Sequence, residues 1–333
     1  MVLPRVLIIG RHEDPHTLAV QSELKKIGVV ADCFDTFRKD CFSIEISHSN
    51  SSSRLGFGDN SKELVNNYHS IWMRQKPIVP MPWWSPLDND AARFTQQEWQ
   101  NIFQSLPSFS KTTRWINHPT DQRKINYKPN QLKLAMKIGF KIPDTLLTNS
   151  SKSIFDFSRK HKKIIYKSFS GYIFSDQTGI LTNLLDSKDI ESNKESFKRA
   201  PGIYQEFIEK SHEARVTVVG DKIFTALVRT PTGGQGYIDW RYAQFEDVFE
   251  KYEIPLSLKN MLLTFQQEAN LKYGAYDFII SPNGDWYFLE CNPAGQYLWL
   301  ENSLNLKISK AIANELCLGL EQFLLPKTKI DTV

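Results

Sequence analysis

The sequence predicts an α/β protein that opens as a doubly wound unit and closes around a buried antiparallel hairpin. Three observations carry this. The N-terminal segment runs strand, helix, strand; glycine and proline punctuate alternating helical and extended stretches through the middle; and two apolar runs flank Asn283-Gly284 near the end. At 333 residues, with 41% hydrophobic and 23% charged, the chain is globular and long enough for two or three domains. A net charge of +4 with no arginine-rich tract argues against a nucleic-acid partner, yet suits an anionic ligand. Cys33, Cys41, Cys291 and Cys317 form no CxxC pair, which points to reduced thiols and a cytoplasmic setting. The apolar run Val6–Ile9 is too short for a signal peptide, and no stretch approaches bilayer-spanning length, so no membrane association is expected.

Arg5–Gly10 reads as a buried strand, followed by a helix through Leu18, Leu24 and Ile27 closed by Gly28, then a strand from Val29 to Phe34. A Rossmann nucleotide site would require G-x-G-x-x-G after the first strand, and Gly10-Arg11-His12-Glu13-Asp14 lacks it. Ser47–Asn60, rich in Ser, Asn and Gly, reads as a loop or irregular edge. Ser70–Arg74 is a strand, Pro77–Pro86 a Pro/Trp-rich connection, and Phe94, Trp99, Ile102, Phe103 and Leu106 mark a helix. A boundary falls near Lys111–Asn117. Pro129 starts and Gly139 stops the next helix, with a stripe through Leu132, Ala135, Met136 and Ile138. Lys163–Lys167 and Ile203–Ile208 are strands. Arg215–Val219 and Lys222–Val228 form a hairpin about Gly220-Asp221, and a helix through Leu258, Met261, Leu262, Phe265 and Ala269, stopped by Gly274, leads into the last hairpin.

That hairpin carries the chemistry. With Asn283 and Gly284 as the two central residues of a type I′ turn, Asp277 falls directly opposite Glu290 and Ile279 opposite Phe288, with Asn292 on the same face. Tyr276, Phe278, Ile280, Tyr287, Leu289 and Cys291 fill the other face, so the strand pair reads as apolar on both sides. Two facing carboxylates repel, and burial sharpens the repulsion. Two carboxylates and an amide oxygen form a hard ligand set suited to Mg²⁺, which is usually shared with substrate phosphates.

Lys167 ends a strand and precedes the small-residue loop Ser168–Gly171, where it could face a phosphate or simply solvent. Lys128 and its rival Lys124 flank a proline-started helix. No P-loop motif exists, and Gly233-Gly234-Gln235-Gly236 reads as a mobile loop.

Taken in order, these stretches resemble the ATP-grasp ligases, and within them the microviridin-type (graspetide) enzymes that crosslink ribosomal precursor peptides. The likeness is carried by Lys128-Pro-Asn-Gln-Leu with Gly139, Ile142-Pro143-Asp-Thr145, Tyr166-Lys167, Tyr204-Gln205-Glu206-Phe207-Ile208 and Glu213-Ala-Arg215-Val-Thr-Val-Val-Gly220. Asp239-Trp240-Arg241, Tyr273-Gly274-Ala275-Tyr276-Asp277 and Phe288-Leu289-Glu290-Cys-Asn292-Pro293 complete it. Ile71-Trp72-Met73-Arg74 and Asp239-Trp240-Arg241 point to the peptide-modifying branch; Met73-Arg74 holds one arginine where relatives often have two, and Cys291 stands in a commonly apolar position.

The resemblance implies an ATP-grasp fold. An N-terminal pre-ATP-grasp domain (1–115) would precede a central lobe (116–203) and a C-terminal lobe with the metal site (204–333), the two α+β lobes enclosing the nucleotide. It implies ATP and Mg²⁺. Lys128 and Lys167 would neutralise phosphates, and Gln205, Glu206, Phe207 and Ile208 would form the adenine-reading hinge, with main-chain contacts from Glu206 and Ile208. Glu213 would lie near the ribose. Asp277, Glu290 and Asn292 would hold the metal, and Arg215 and Arg241 would flank the transferred phosphoryl group, with Lys167 also serving the chemistry. The loops Ser168–Gly171 and Gly233–Gly236 would be lids. The implied partner is a ribosomal precursor peptide, leader and core, acted on by a homodimer.

Overall fold

The computed structural model describes residues 4–35, 42–47, 52–57, 60–63, 68–75, 89–109, 114–169, 182–229 and 249–320. The chain begins with β1 (Arg5–Ile9), α1 (Pro15–Lys26) and β2 (Val30–Phe34). It continues through β3 (Phe42–Ser47), β4 (Ser52–Phe57), β5 (Asn60–Glu63), β6 (Ser70–Met73), α2 (Asn89–Ser105) and β7 (Arg114–Ile116). β1 pairs in parallel with β2 and β6, and β6 with β7, giving the order β2-β1-β6-β7. This is the doubly wound opening read from the sequence. Asp14 caps α1 by accepting from the Thr17 N–H, with Pro15 at the first position, and Gly28 leaves the helix at φ 77°. Ser47–Asn60 departs from the loop reading: β3, β4 and β5 form an antiparallel sheet in which Glu45 is the register partner of Arg54. Opposite charges across a ladder stabilise a strand pair that composition alone disfavours.

The next segment comprises α3 (Pro119–Asn126), α4 (Lys128–Ile138), β8 (Thr145–Thr148), α5 (Ser151–His161) and β9 (Ile164–Lys167). β10 (Asn183–Leu185), α6 (Ser187–Ser192), α7 (Lys194–Phe197) and β11 (Gly202–Glu206) follow. Their strands make an antiparallel sheet, β10-β9-β11-β8. Gly139 takes φ 101° and donates to Ala135 and Met136 carbonyls, so α4 stops where the sequence says it should. Ile154, Ile164, Ile190 and Tyr204 form the core between this sheet and its helices.

The last segment holds β12 (His212–Val219), β13 (Lys222–Arg229), β14 (Phe249–Lys251), α8 (Leu256–Glu268), β15 (Tyr273–Ile280), β16 (Trp286–Asn292), α9 (Leu298–Leu304) and α10 (Ile308–Leu316). The sheet order is β14-β13-β12-β15-β16, antiparallel throughout. α8 ends at Glu268, and Asn270 just beyond it takes the left-handed region (φ 51°), earlier than the Gly274 stop read from the sequence; Gly274 lies inside β15. Asn tolerates that conformation because its short polar side chain bonds locally.

One face of this sheet is closed by α4 and α8: Leu132, Ala135, Leu262 and Phe265 pack on Val216, Tyr276, Phe278, Phe288 and Cys291. On the other face Val219, Tyr273 and Ala275 are covered by α10 residues Ile312 and Leu316, which also join α1 and β1. The same face carries Arg215, Asp277 and Glu290, the two acids being partly exposed. The expectation of apolar burial on both sides thus holds at one end of the hairpin only.

Candidate active site

The hairpin brings its two acids together by an unexpected route. Only Gly284 takes positive φ (83°) in the turn, and Ser281 N–H bonds to Asp285 O, so the loop is Pro282-Asn283-Gly284 rather than a two-residue type I′ turn. From there Ile280 pairs with Trp286, Ile279 with Tyr287 and Phe278 with Phe288. A regular ladder would then set Asp277 against Leu289. Instead the register shifts at this point, Leu289 is passed over, and Asp277 pairs with Glu290. The predicted pairing stands, while Phe288 moves from the acid face to the core, opposite Phe278.

Each acid is matched to a cation. Arg215 on β12 is the register partner of Asp277 on the other flank of β15, and its Nη1 donates to both carboxylate oxygens at 2.8 Å. Arg215 is only 8% exposed. Burial works against its charge, and Asp277, Tyr273 and Glu290 outweigh that effect, so its pKa lies above the ordinary guanidine value. Its Nε has no partner among the described residues. Lys128, in the first turn of α4, puts Nζ 3.5 Å from Glu290 Oε2 and 3.3 Å from Ser168 O. Its rival Lys124 is exposed. Lys167 ends β9 immediately before that Ser168 carbonyl; it is half-buried, and alternation places it opposite the Ile164–Tyr204 core.

The remaining candidates spread along the two sheets. Asn292 ends β16, exposed, its Oδ1 accepting from Ala294 N–H at 3.0 Å. Gln205 is buried and donates to Thr145 Oγ1 at 2.9 Å. The strand ends at Glu206, so Phe207 and Ile208 lie in the connection beyond it, not in the strand to Ile208 read from the sequence. Glu206 N–H bonds to Asp144 O and Phe207 N–H to Lys163 O, while the Glu206 carboxylate lies near His161 Nδ1 (3.9 Å). Glu213 is buried and ion-paired to buried Lys210. Arg241, Ser170, Gly171 and Gly233–Gly236 lie outside the described residues.

Sequence reasoning assigned no role to four residues that hold this arrangement. Gln131 bonds to both main-chain groups of Cys291. Asn117, buried at the end of β7, donates to Tyr273 O and Pro293 O and accepts from the Lys272 and Tyr273 amides. Arg74 and Tyr273 grip the carbonyls of Ala294 and Gly295. These roles are tertiary; Gln131, Tyr273 and Arg74 lay within motifs singled out beforehand, and Asn117 did not.

Among the described residues no three His, Cys, Asp or Glu side chains converge on a metal site. The donor set Asp277, Glu290 and Asn292 still fits Mg²⁺: two facing carboxylates and an amide oxygen, each at least partly exposed.

An α/β molecule with two antiparallel lobes and a cation-lined acidic pair between them is the architecture of a nucleotide-clasping enzyme. A family model for the RimK-like ATP-grasp domain matches residues 126–316. That is more than half of the chain, and the protein belongs to this family, with its ATP-grasp fold. Among solved structures it is similar to a Chryseobacterium gregarium RiPP-associated ATP-grasp ligase in complex with ADP and a leader and core peptide: 26% identity, 95% of this chain and 97% of that one covered, TM-score 0.83. It is likewise similar to the macrocyclase MdnC from Microcystis aeruginosa MRC bound with precursor peptide MdnA (26%, 95% and 100%, 0.83). MdnB from the same organism matches at 26% identity over 95% and 100%, with a TM-score of 0.78. No curated protein matches the chain.

Proposed function

We propose that this protein is an ATP-dependent ligase. It activates a side-chain carboxylate of a ribosomal precursor peptide as an acyl phosphate and joins it to a Ser/Thr hydroxyl or Lys amine, leaving an intramolecular ester or amide. The observation that carries the reading is the pairing of Asp277 with Glu290 while Arg215 and Lys128 each hold one of them. The likeness to ligases solved with precursor peptides supports the substrate class.

A carboxylate must approach the polyanionic end of ATP, so repulsion has to be screened and the two reactants held in line. Lys128, which reaches both Ser168 O and Glu290, and Lys167 are assigned to the phosphates. The hinge reads adenine through main-chain groups of Glu206 and Ile208, Glu206 by its carbonyl because its N–H is already bonded to Asp144. Gln205 and Phe207 frame that segment and Glu213 is assigned to the ribose. Asp277, Glu290 and Asn292 would hold Mg²⁺, which when bound screens the phosphate charge. Arg215 stays charged beside Asp277 and stabilises the transferring phosphoryl group, a task shared with Arg241. The carboxylate oxygen bonds to the γ-phosphorus as that atom's bond to the bridging oxygen breaks, releasing ADP. The hydroxyl or amine then bonds to the acyl carbon, phosphate leaves, and the nucleophile gives up its proton.

The test uses purified protein, ATP, Mg²⁺ and a short Thr/Asp/Glu-rich precursor encoded beside the gene. Mass spectrometry should show one water lost per bond with equivalent ADP. A mass gain would indicate addition of an amino acid instead, and ADP release indifferent to peptide would refute the reading. Within it the enzyme works in the cytoplasm as a homodimer, which light scattering reads directly; no described helix is long and apolar enough to cross a membrane.

A further inference from the structure

Three consecutive carbonyls after β16 are each held by a buried donor from a different element. Arg74 Nη1 donates to Ala294 O (3.2 Å), Tyr273 Oη to Gly295 O (2.7 Å) and Arg215 Nη2 to Gln296 O (3.3 Å). Arg74 itself lies at the end of β6, 6% exposed, its Nε donating to Asp14 Oδ2 at 3.0 Å. Asp14 caps α1, so this arginine and the carboxylate that holds it both belong to the N-terminal segment. The same short segment directs the Ala294 N–H at Asn292 Oδ1 (3.0 Å). Arg74 contacts neither acid, yet it grips the strip that meets Arg215 at one end and Asn292 at the other.

We infer that Arg74 is a positioning residue for ligation: by fixing Ala294–Gln296 it holds Arg215 on Asp277 and orients Asn292, tying the N-terminal domain to the chemistry of the C-terminal lobe. The inference rests on the function proposed above for what is positioned, and on geometry alone for the grip. Substituting Gln for Arg74 removes the Ala294 contact and leaves Asp14 buried without its cation. In a site aligned for phosphoryl transfer, displacements of about 1 Å cost about 100-fold in rate. Ground-state binding of ATP, which relies on the hinge, is touched less.

The experiment compares wild type, Arg74→Lys, Arg74→Gln and the charge-neutral pair Asp14→Asn/Arg74→Gln, in which Asn still caps α1. The double variant carries the test if Arg74→Gln fails to fold. Amide hydrogen exchange, which needs no activity, should show residues 294–297 exchanging at least about tenfold faster while β1 and β6 keep their protection. Unchanged exchange there overturns the grip whether or not the protein proves to be a ligase. In an active wild type, kcat should fall about 10- to 100-fold with KM for ATP within about threefold, and Arg74→Lys should not rescue it. Combining Arg74→Gln with Arg215→Lys should add little to the Arg215→Lys loss, because both act through one contact; fully additive losses, or wild-type kcat in the single variants, overturn the inference.

Discussion

Gln131 pairs with Cys291 as if it were one residue of a neighbouring strand: Nε2 donates to the Cys291 carbonyl and Oε1 accepts from its N–H, both at 2.8 Å. β16 is the outer strand of its sheet, and this side chain completes its hydrogen bonding at that point. Gln131 also donates to Ile125 O, and it stands one turn after Lys128 on α4. The clamp therefore sets the distance between that lysine and Glu290. Gln131→Leu leaves buried main-chain groups without partners, at about 1–3 kcal/mol each. Urea unfolding should show a loss of about 2–5 kcal/mol, together with a raised KM for ATP.

The two acids should separate under mutation. Asp277→Ala strands the buried Arg215 charge and should cost about 3–5 kcal/mol of stability. Glu290→Ala releases Lys128, whose side chain is 26% exposed and keeps Ser168 O. That loss should be about 1 kcal/mol or less. Both variants should lose turnover by at least about 100-fold. Equal stability losses in chemical denaturation would contradict the asymmetry of burial described here.

His16 gives a pH dependence with a definite sign. Burial, and then the charge of Arg74, lower its pKa from 6.5 to about 4, with Asp14 opposing. Between those values the unfolded chain binds a proton that the folded protein refuses, so stability is full above pH 6.5 and falls as pH drops towards 4. The size is of order 2–3 kcal/mol. His16→Phe preserves an aromatic edge against Tyr297 and should lose this slope. Parallel unfolding profiles for the two proteins between pH 7 and 4.5 would remove His16 as the cause.

Gly295 is confined by contact. A Cβ there would stand 2.6 Å from Ala275 Cβ and 2.7 Å from Arg215 Nη2. Gly295→Ala should cost about 1–3 kcal/mol and reduce kcat more than it raises KM for ATP. Unaltered kcat in a folded variant would show that Arg215 has room to move without consequence.

The fold class, the doubly wound opening and the α4 stop were legible because each rests on local signals: apolar runs, a proline start, a glycine end. The β3–β5 sheet was not, because Ser- and Asn-rich strands depend on cross-strand partners that composition does not reveal. The Asp277–Glu290 pair was reached through two opposite errors. Setting Pro282 against Asp285 and assigning no irregularity each shift the ladder by one residue, and they cancel at the acids but not at Phe288. The grips of Arg74, Asn117 and Gln131 join residues far apart in the chain, which no periodicity encodes. Arg215 was reached only through resemblance to a family, and Lys128 was raised beside Lys124 and preferred only by that resemblance, since a lone arginine in a strand and a lysine before proline are commonplace.

The irregular pairing at Leu289 decides which side of the sheet the second acid reaches. Were the ladder to run unbroken past Phe288, Leu289 would face Asp277 and the Glu290 carboxylate would swing beneath the sheet, against Tyr276 and the aromatic rings of α8. Homologous enzymes should therefore either keep the passed-over residue or lack it altogether, since a regular ladder without Leu289 also sets Glu290 against Asp277.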